Sequence, residues 1–345
     1  MESIPKDFYL NDPELKERHL KAIPAKELYR FMPSENEVIL LGEKPQKNIR
    51  FIFTGRPKNN FEKEKYNKLK DFLVSKKFNL PENWDDSDTF RLLQASDYDI
   101  EKTYKMLKEN LLWRNSFPPS MSPEDIIIIN SGLLYIYGRD TKYRPILVIE
   151  AQKLNELRKG FKFEIDKISN ACAFTLMYLF NNLLIPGQIE NITVMCDLNG
   201  MGVSDLGEFK KILNTLNNFR GRVYKNFLLN VTGFLKFALK SLLPLFGSAS
   251  SKKIIVLEKE ELGRLQEHIR PDNIQLKYGG TAPNVIYGGN NLFPPVMPSN
   301  KYQKDGDNNN LIDEKTYKEM CLNGNPFKPA VICEEYVQKW NKIFI

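Results

Sequence analysis

The chain contains only two histidines in 345 residues, His19 and His268. Hydrolases of the Ser-His-acid or Cys-His type need a histidine base beside the nucleophile. The sequence also lacks a Gly-x-Ser-x-Gly motif and a phosphate-binding Gly-x-x-x-x-Gly-Lys-[Ser/Thr] loop. Gly200 and Gly202 follow a strand pattern, but the next glycine is Gly207, which is the wrong spacing for dinucleotide binding. The sequence therefore predicts a protein that is not an enzyme.

Cysteine is also sparse. The chain has four cysteines, which are widely spaced and form no Cys-x-x-Cys pair. This pattern predicts reduced thiols, and it predicts neither a zinc site nor a disulfide framework. Residues 1–10 hold no apolar run of the kind that a secretory signal needs, and neither end carries a lipidation motif. These features predict a cytoplasmic protein without a metal or a cofactor.

Long apolar runs are few, and two of them approach the length of a membrane span. Ala171–Ile185 is shorter than the ~20 residues that a span needs, and two asparagines interrupt it. Phe227–Phe246 is long enough but contains two lysines and a proline. Each charge near the middle of a lone span costs about 3 kcal/mol. We therefore expect neither segment to cross a membrane.

Basic residues outnumber acidic ones, fifty to forty-three, which gives a net charge of +7. This bias suits transient contact with anionic membranes, where a well-placed Lys or Arg contributes about 1 kcal/mol. A solvated surface that is merely rich in lysine explains the same composition. Charge alone leaves both explanations open.

The pattern of apolar residues changes near residue 119. Residues 1–45 are interrupted by prolines and predict an extension with short helices. Helical patterns follow over 61–73, in a second segment that begins at Asp85, and in a third segment that ends at Trp113-Arg114. Beyond 119, short strand patterns alternate with helical ones, which indicates an α/β sheet with some parallel strands. The predicted strands are Gly132–Tyr137, Pro145–Ala151, Ile192–Cys196, Asn226–Val231 and Lys253–Leu257, and the predicted helices among and after them cover 164–184, 205–219, 233–246 and 260–268.

Several segments, taken in their order along the chain, resemble the CRAL-TRIO family (Sec14-like lipid-transfer proteins). They extend over about residues 60–285. In order, they are the helical leader at 88–114, a strand entry at Lys142–Leu147, a strand ending in Asp-x-x-Gly at Asn191–Gly200, a strand ending in Asn at Arg222–Asn230, a gate helix at Phe234–Phe246, and a closing Tyr-Gly-Gly at Ile274–Gly280.

The resemblance implies an α/β fold in which an N-terminal helical leader packs on a domain with a mixed sheet and a mobile gate helix over a lipid cavity. The implied divisions are an extension (1–45), the leader (46–119), the lipid-binding domain (120–290) and a tail (291–345). The implied function is binding of one phospholipid or similar hydrophobic lipid and its exchange or presentation at membranes. The implied protein is a cytoplasmic monomer that associates with membranes peripherally and transiently, and that binds no nucleic acid.

The resemblance also implies which residues form the site. The expected lipid-binding residues are Tyr137, Leu147, Met177, Ile192, Val194, Cys196, Phe234, Phe237, Ala238, Leu242 and Leu243. The gate is expected to contact the membrane through Lys236, Lys240 and Phe246, and the possible headgroup contacts are Ser96, Arg91 and Glu208. The gate segment is apolar almost all round, a pattern that a helix buried inside the protein shows as well.

The sequence departs from the family where the family binds charged headgroups. Ser96, Asp97 and Leu243 stand where the phosphatidylinositol binders have basic residues, and Ile192 and Val194 stand where choline-lipid binders have hydroxyls. A buried phosphate needs cationic partners, so we expect no strict specificity for phosphatidylinositol. Two other functions remain open: a lipid-dependent regulatory scaffold for a lipid-modifying enzyme, and an unliganded interaction module.

Overall fold

A computed structural model describes residues 12–82, 84–118, 120–232, 235, 252–285, 292–295, 297–298, 311–316 and 319. These residues fall into two compact units. The first unit is drawn from the ranges Met1–Ile23, Arg114–Leu184 and Asn191–Lys301, and the second from Pro24–Trp113, Ile185–Glu190 and Tyr302–Ile345. The domain limits predicted at 45, 119 and 290 stay predictions.

The helices and strands alternate largely as the sequence predicts. The α-helices are α1 (Pro13–Ala22), α2 (Glu35–Val38), α3 (Asn60–Ser75), α4 (Asp86–Ala95), α5 (Ile100–Ser116), α6 (Pro123–Asn130), α7 (Gln152–Asn155), α8 (Ile165–Asn182) and α9 (Leu206–Thr215). The strands are β1 (Ile39–Leu40), β2 (Ile49–Arg50), β3 (Leu134–Arg139), β4 (Pro145–Glu150), β5 (Ile192–Asp197), β6 (Val223–Leu229) and β7 (Ile254–Leu257).

The second unit is mainly helical, and its helix starts follow from capping residues. The side chain of Asn59 accepts a hydrogen bond from the backbone N–H of Glu62 (2.9 Å) at the start of α3. Asp85 caps α4 in the same way through Ser87, as the sequence predicts. The apolar sides of these helices and α5 form a buried cluster that includes Leu69, Leu73, Leu93 and Leu107. A short antiparallel pair, β1 and β2, belongs to the same unit.

The first unit is built on a five-stranded mixed sheet in the order β3-β4-β5-β6-β7. Only β3 runs antiparallel to its neighbour, and the other pairs are parallel. The parallel connection from β4 to β5 contains α7 and α8, and the one from β5 to β6 contains α9. Strands β3, β4 and β5 are buried along their whole length, which explains their nearly continuous apolar sequence.

Two strands differ from the prediction by two or three residues at their ends, and one helix is of a different type. Strand β3 continues past Tyr137 because the ladder is irregular between Ile136 and Arg139, and Gly138 takes a positive φ of 74° there. A Cβ at Gly138 would lie 2.4 Å from the side chain of Asn273, so only glycine fits. Strand β6 begins three residues earlier than predicted, and the helix over 260–268 is a 3₁₀ helix, Lys259–Glu267.

The predicted helix over 233–246 lies outside the described residues, apart from Leu235. Among the described residues, no helix combines the length and the apolar character that crossing a bilayer requires. Most of Ala171–Ile185 belongs to α8.

Candidate functional site

Successive residues of a strand point to opposite sides, so the sheet of the first unit has two faces. Both faces are buried along β3, β4 and β5. One face belongs to a closed apolar cluster and is called the packed face. On the sheet it consists of Tyr135, Tyr137, Ile146, Val148, Met195, Phe227, Leu229 and Leu257. Residues from the segment 262–282 pack on it, namely Leu262, Leu265, Ile269, Ile274, Tyr278 and Ala282. The protein's own side chains therefore fill the space beside this face.

The opposite side of strands β4 and β5 is called the candidate face, and it consists of Leu147, Ile149, Ile192, Val194 and Cys196. Leu147 lies directly opposite Val194, and Ile149 directly opposite Cys196. All five side chains are buried and none of them carries a charge. Four of the residues expected from the sequence to bind lipid therefore share one continuous apolar surface.

The structure does not bring all the expected lipid-binding residues together. Tyr137 lies on the packed face, where its hydroxyl donates to the carbonyl of Pro283 and burial raises the pKa of Tyr137 to about 12. Met177 is buried on α8. The remaining expected residues lie outside the described residues: Phe234, Lys236, Phe237, Ala238, Lys240, Leu242, Leu243 and Phe246.

The thiol on the candidate face is not suited to nucleophilic chemistry. Burial, and to a smaller extent the neighbouring Asp197, raise the pKa of Cys196. Burial also raises the pKa of Cys172 to about 12. A thiol with a raised pKa carries almost no thiolate at neutral pH, so Cys196 contributes apolar surface to this face.

Arg91, a possible headgroup contact, has partners within its own unit. One guanidinium nitrogen donates to Asp88 at 2.9 Å and another forms an ion pair with the buried carboxylate of Glu190. Glu190 also accepts hydrogen bonds from the backbone N–H groups of Phe53 (2.9 Å), Thr54 (2.9 Å) and Gly187 (2.8 Å). This network accounts for the burial of Arg91 without a ligand.

The other two possible headgroup contacts are also engaged. The hydroxyl of Ser96 lies 2.9 Å from the carbonyl of Leu93 and 2.7 Å from the hydroxyl of Thr103, where it closes the end of α4. Glu208, in the first turn of α9, pairs with Arg158 at 3.0 Å. A role in headgroup contact stays a prediction for all three residues.

Three of the family-like segments meet at the side chain of Asp197, at the end of β5. Its carboxylate accepts a hydrogen bond from Asn230 at 2.8 Å and one from the hydroxyl of Tyr278 at 3.0 Å. A third comes from the backbone N–H of Asn199 at 3.0 Å. The Asp-x-x-Gly, strand-ending Asn and Tyr-Gly-Gly patterns therefore share one structural purpose, which is to join β5, β6 and the closing segment.

A second buried carboxylate lies beside it. Glu150 is the register partner of Asp197, accepts a hydrogen bond from Tyr135 (2.6 Å) and forms an ion pair with Lys277. Gln275 donates to the hydroxyl of Tyr135 at 2.8 Å. The sequence analysis singles out none of Glu150, Tyr135, Lys277 and Gln275 individually. The pairing of Glu150 with Tyr135 and Lys277 depends on a sheet edge that brings distant segments together.

Replacement of Tyr278 by phenylalanine should lower the free energy of unfolding by about 1 kcal/mol, because Asp197 loses one buried donor. Urea denaturation measures the loss. Tyr104→Phe is the matched control, since the Tyr104 ring packs edge-on against Phe72 and Phe78 and no hydrogen bond of its hydroxyl is found in the described part of the chain. Equal losses in the two variants would contradict a specific role for the hydroxyl.

Comparison with known proteins identifies similar chains. Residues 129–280 match the family model of the CRAL/TRIO domain. A CRAL-TRIO domain-containing protein of Saccharomyces cerevisiae is 24% identical over 239 residues, which cover 62% of this chain and 76% of that protein. The SEC14 cytosolic factor of Kluyveromyces lactis is 23% identical over 278 residues, which cover 73% of this chain and 88% of that protein.

Two further matches agree with these. A phosphatidylinositol/phosphatidylcholine transfer protein of Arabidopsis thaliana is 23% identical over 229 residues, covering 61% of this chain and 42% of that protein. The solved structure of Sfh5 superposes with a TM-score of 0.51 at 16% identity, covering 71% of this chain and 95% of that one. The structural match shows a shared fold.

Proposed function

Because the chain belongs to the CRAL-TRIO family of Sec14-like proteins, we propose that it encloses one phospholipid or similar hydrophobic lipid and exchanges or presents it at membranes. The relative named as a phosphatidylinositol/phosphatidylcholine transfer protein supports a lipid ligand, and the SEC14 cytosolic factor is a relative of the same kind of fold. Moving a two-chain lipid through water exposes its acyl chains, at a cost of about 0.8 kcal/mol per CH₂ group. A protein that covers these chains removes that cost.

The observation that carries the proposal is the candidate face. The segment 262–282 of the chain packs on the packed face, and the candidate face on the other side of the sheet is equally buried but lies outside that cluster. We therefore propose that a ligand enclosed against this sheet lies on the candidate face. There Leu147, Ile192, Val194 and Cys196 form a continuous apolar surface. A surface of this kind suits acyl chains.

The same face limits the headgroup. On β4 and β5, which are fully described, the candidate face carries no charged side chain and no hydroxyl, since Ile192 and Val194 occupy its first positions on β5. A buried phosphate without a charge-assisted partner loses about 1.5–3 kcal/mol per missing hydrogen bond. We therefore propose that the site tolerates several phospholipids and shows no strict preference for phosphatidylinositol.

Native mass spectrometry tests both parts. The protein is incubated with vesicles that contain equal amounts of phosphatidylinositol, phosphatidylcholine, phosphatidylserine and a neutral diacyl lipid. We expect a complex with one lipid, and a preference for phosphatidylinositol below about a hundredfold, or 2.7 kcal/mol. Detection of lipid-free protein alone would contradict lipid binding, and a larger inositol preference would contradict the headgroup argument. Occupancy without vesicle-to-vesicle transfer would identify a protein that presents lipid and does not exchange it.

A further inference from the structure

A basic and aromatic surface segment connects α7 to α8 in the first unit, and it begins in one turn of π-helix, Glu156–Gly160. Its sequence is Arg158-Lys-Gly-Phe-Lys-Phe163, and residues 159–163 are called the tip loop. The side chain of Phe161 is 61% exposed, and its neighbours Lys159, Gly160 and Lys162 are exposed as well. The ring of Phe161 stacks on that of Phe163, with ring centroids 5.8 Å apart and planes 10° apart. The tip loop therefore presents an aromatic surface to solvent between two lysines.

The tip loop is held in place by contacts at its base. The backbone N–H of Phe161 donates to the carbonyl of Glu156 (3.2 Å), and that of Phe163 donates to the carbonyl of Leu157 (3.1 Å). Arg158 donates to the carbonyl of Phe163 at 2.7 Å. The side chain of Leu157 is fully buried. These contacts hold the backbone on both sides of Phe161, which lowers the entropy lost when the segment binds a surface.

The charges around the tip loop divide between its base and its tip. At the base, Arg158 pairs with Glu208 at 3.0 Å and lies 3.7 Å from Glu164. The charge of Arg158 therefore offsets part of the negative charge of these two carboxylates. At the tip, neither Lys159 nor Lys162 forms an ion pair in the described ranges, although Lys159 contributes to the lowered pKa of Asp205. The tip is thus positive around an apolar centre.

We propose that the tip loop is a docking point for an anionic lipid bilayer, with Phe161 inserted at the headgroup level and Lys159 and Lys162 in contact with lipid phosphates. An exposed aromatic ring flanked by lysines matches the apolar and electrostatic terms that hold peripheral segments on membranes. The inference rests on the proposed function, because lipid exchange requires the protein to meet a membrane. It assigns this contact to a loop that is separate in sequence from the expected gate at 233–246.

Sedimentation with vesicles tests the proposal on the full chain. Vesicles of 70% phosphatidylcholine and 30% phosphatidylserine are compared with vesicles of phosphatidylcholine alone. Phe161→Ala should weaken binding to the anionic vesicles about tenfold, since much of a phenylalanine side chain loses its apolar contact. The double variant Lys159→Gln/Lys162→Gln should weaken it about 10- to 25-fold on anionic vesicles and hardly at all on neutral ones.

Two control variants carry equivalent changes elsewhere. Leu112→Ala removes an exposed apolar side chain, and Lys102→Gln/Lys105→Gln removes two exposed lysines from α5. Both should change vesicle binding less than twofold. The proposal would be overturned if the tip-loop variants bound anionic vesicles as well as the wild type does. It would also be overturned if the wild type bound anionic vesicles no better than neutral ones.

Native mass spectra of the same variants separate this inference from the proposed function. The tip loop is exposed and does not belong to the candidate face, so lipid occupancy at saturation should equal that of the wild type. Weaker vesicle binding with normal occupancy supports the tip loop as the membrane contact. If the wild-type protein never carries lipid, and the tip-loop variants nevertheless bind vesicles more weakly than the wild type, the proposed function alone is overturned.

Discussion

Replacement of Glu190 by alanine is expected to lower the free energy of unfolding by about 3–5 kcal/mol. Glu190 is 1% exposed and its carboxylate accepts from the guanidinium of Arg91 and from three backbone N–H groups. Alanine would leave the buried Arg91 charge without its main partner. Removing one member of a buried ion pair costs this much because the remaining charge is desolvated and uncompensated. Urea denaturation of the full chain, followed by circular dichroism, measures the loss.

Asp88→Ala provides the matched control for this prediction. Asp88 pairs with the same arginine at 2.9 Å, but its side chain is 22% exposed, so water replaces much of the lost interaction. We expect a loss of about 1 kcal/mol or less. Glu190→Gln should fall between the two, since it keeps an acceptor oxygen but removes the charge. Similar losses for Glu190→Ala and Asp88→Ala would contradict the assignment of Glu190 as the centre of the network.

Replacement of Val194 by phenylalanine is expected to reduce lipid occupancy at least tenfold while the protein stays folded. Val194 and Val148 lie on neighbouring strands, are equally buried, and point to opposite faces of the sheet. If lipid occupies the space beside the candidate face, the added ring at Val194 takes up volume that belongs to the ligand. A tenfold loss corresponds to about 1.4 kcal/mol of binding free energy.

Val148→Phe should have the opposite profile. Val148 packs within a closed cluster, where extra volume forces neighbouring side chains out of place at a cost of about 1–3 kcal/mol. Its folded fraction should bind lipid as the wild type does. Native mass spectrometry measures occupancy, and urea denaturation of the lipid-free protein measures stability. Equal destabilisation by both changes, with occupancy unaltered in each, would identify the candidate face as ordinary core.

The face on which Tyr137 lies depends on tertiary structure. Tyr135 and Tyr137 lie two residues apart on β3 and share one face of the sheet. The face that they share with β4 and β5 depends on how the strands are paired: Tyr135 lies opposite Val148, and Val148 opposite Met195. A shift of one residue between strands would exchange the two faces. The register is fixed by packing and by the irregularity at Gly138, which no local pattern specifies.

The headgroup candidates show the same limit through charge. Arg91 is one of the possible headgroup contacts that the resemblance implies. Its main partner, Glu190, is 99 residues away along the chain. Whether such an arginine serves a ligand or the fold depends on which carboxylate tertiary packing brings to it. The pairing of Arg91 with Glu190 is visible only in the tertiary structure.

The sequence alone predicted the alternation of strands and helices, the presence of parallel strands and the resemblance to the CRAL-TRIO family. It could do so because apolar periodicity and capping residues act over a few positions, and because segments such as Asp-x-x-Gly and Tyr-Gly-Gly keep their order along the chain. Tertiary structure decided that these segments meet at Asp197, that Leu147, Ile192, Val194 and Cys196 share one face, and that Phe161 is exposed at a braced loop. Each of these depends on contacts between residues far apart in the chain, and pairing between distant segments leaves no mark in local sequence.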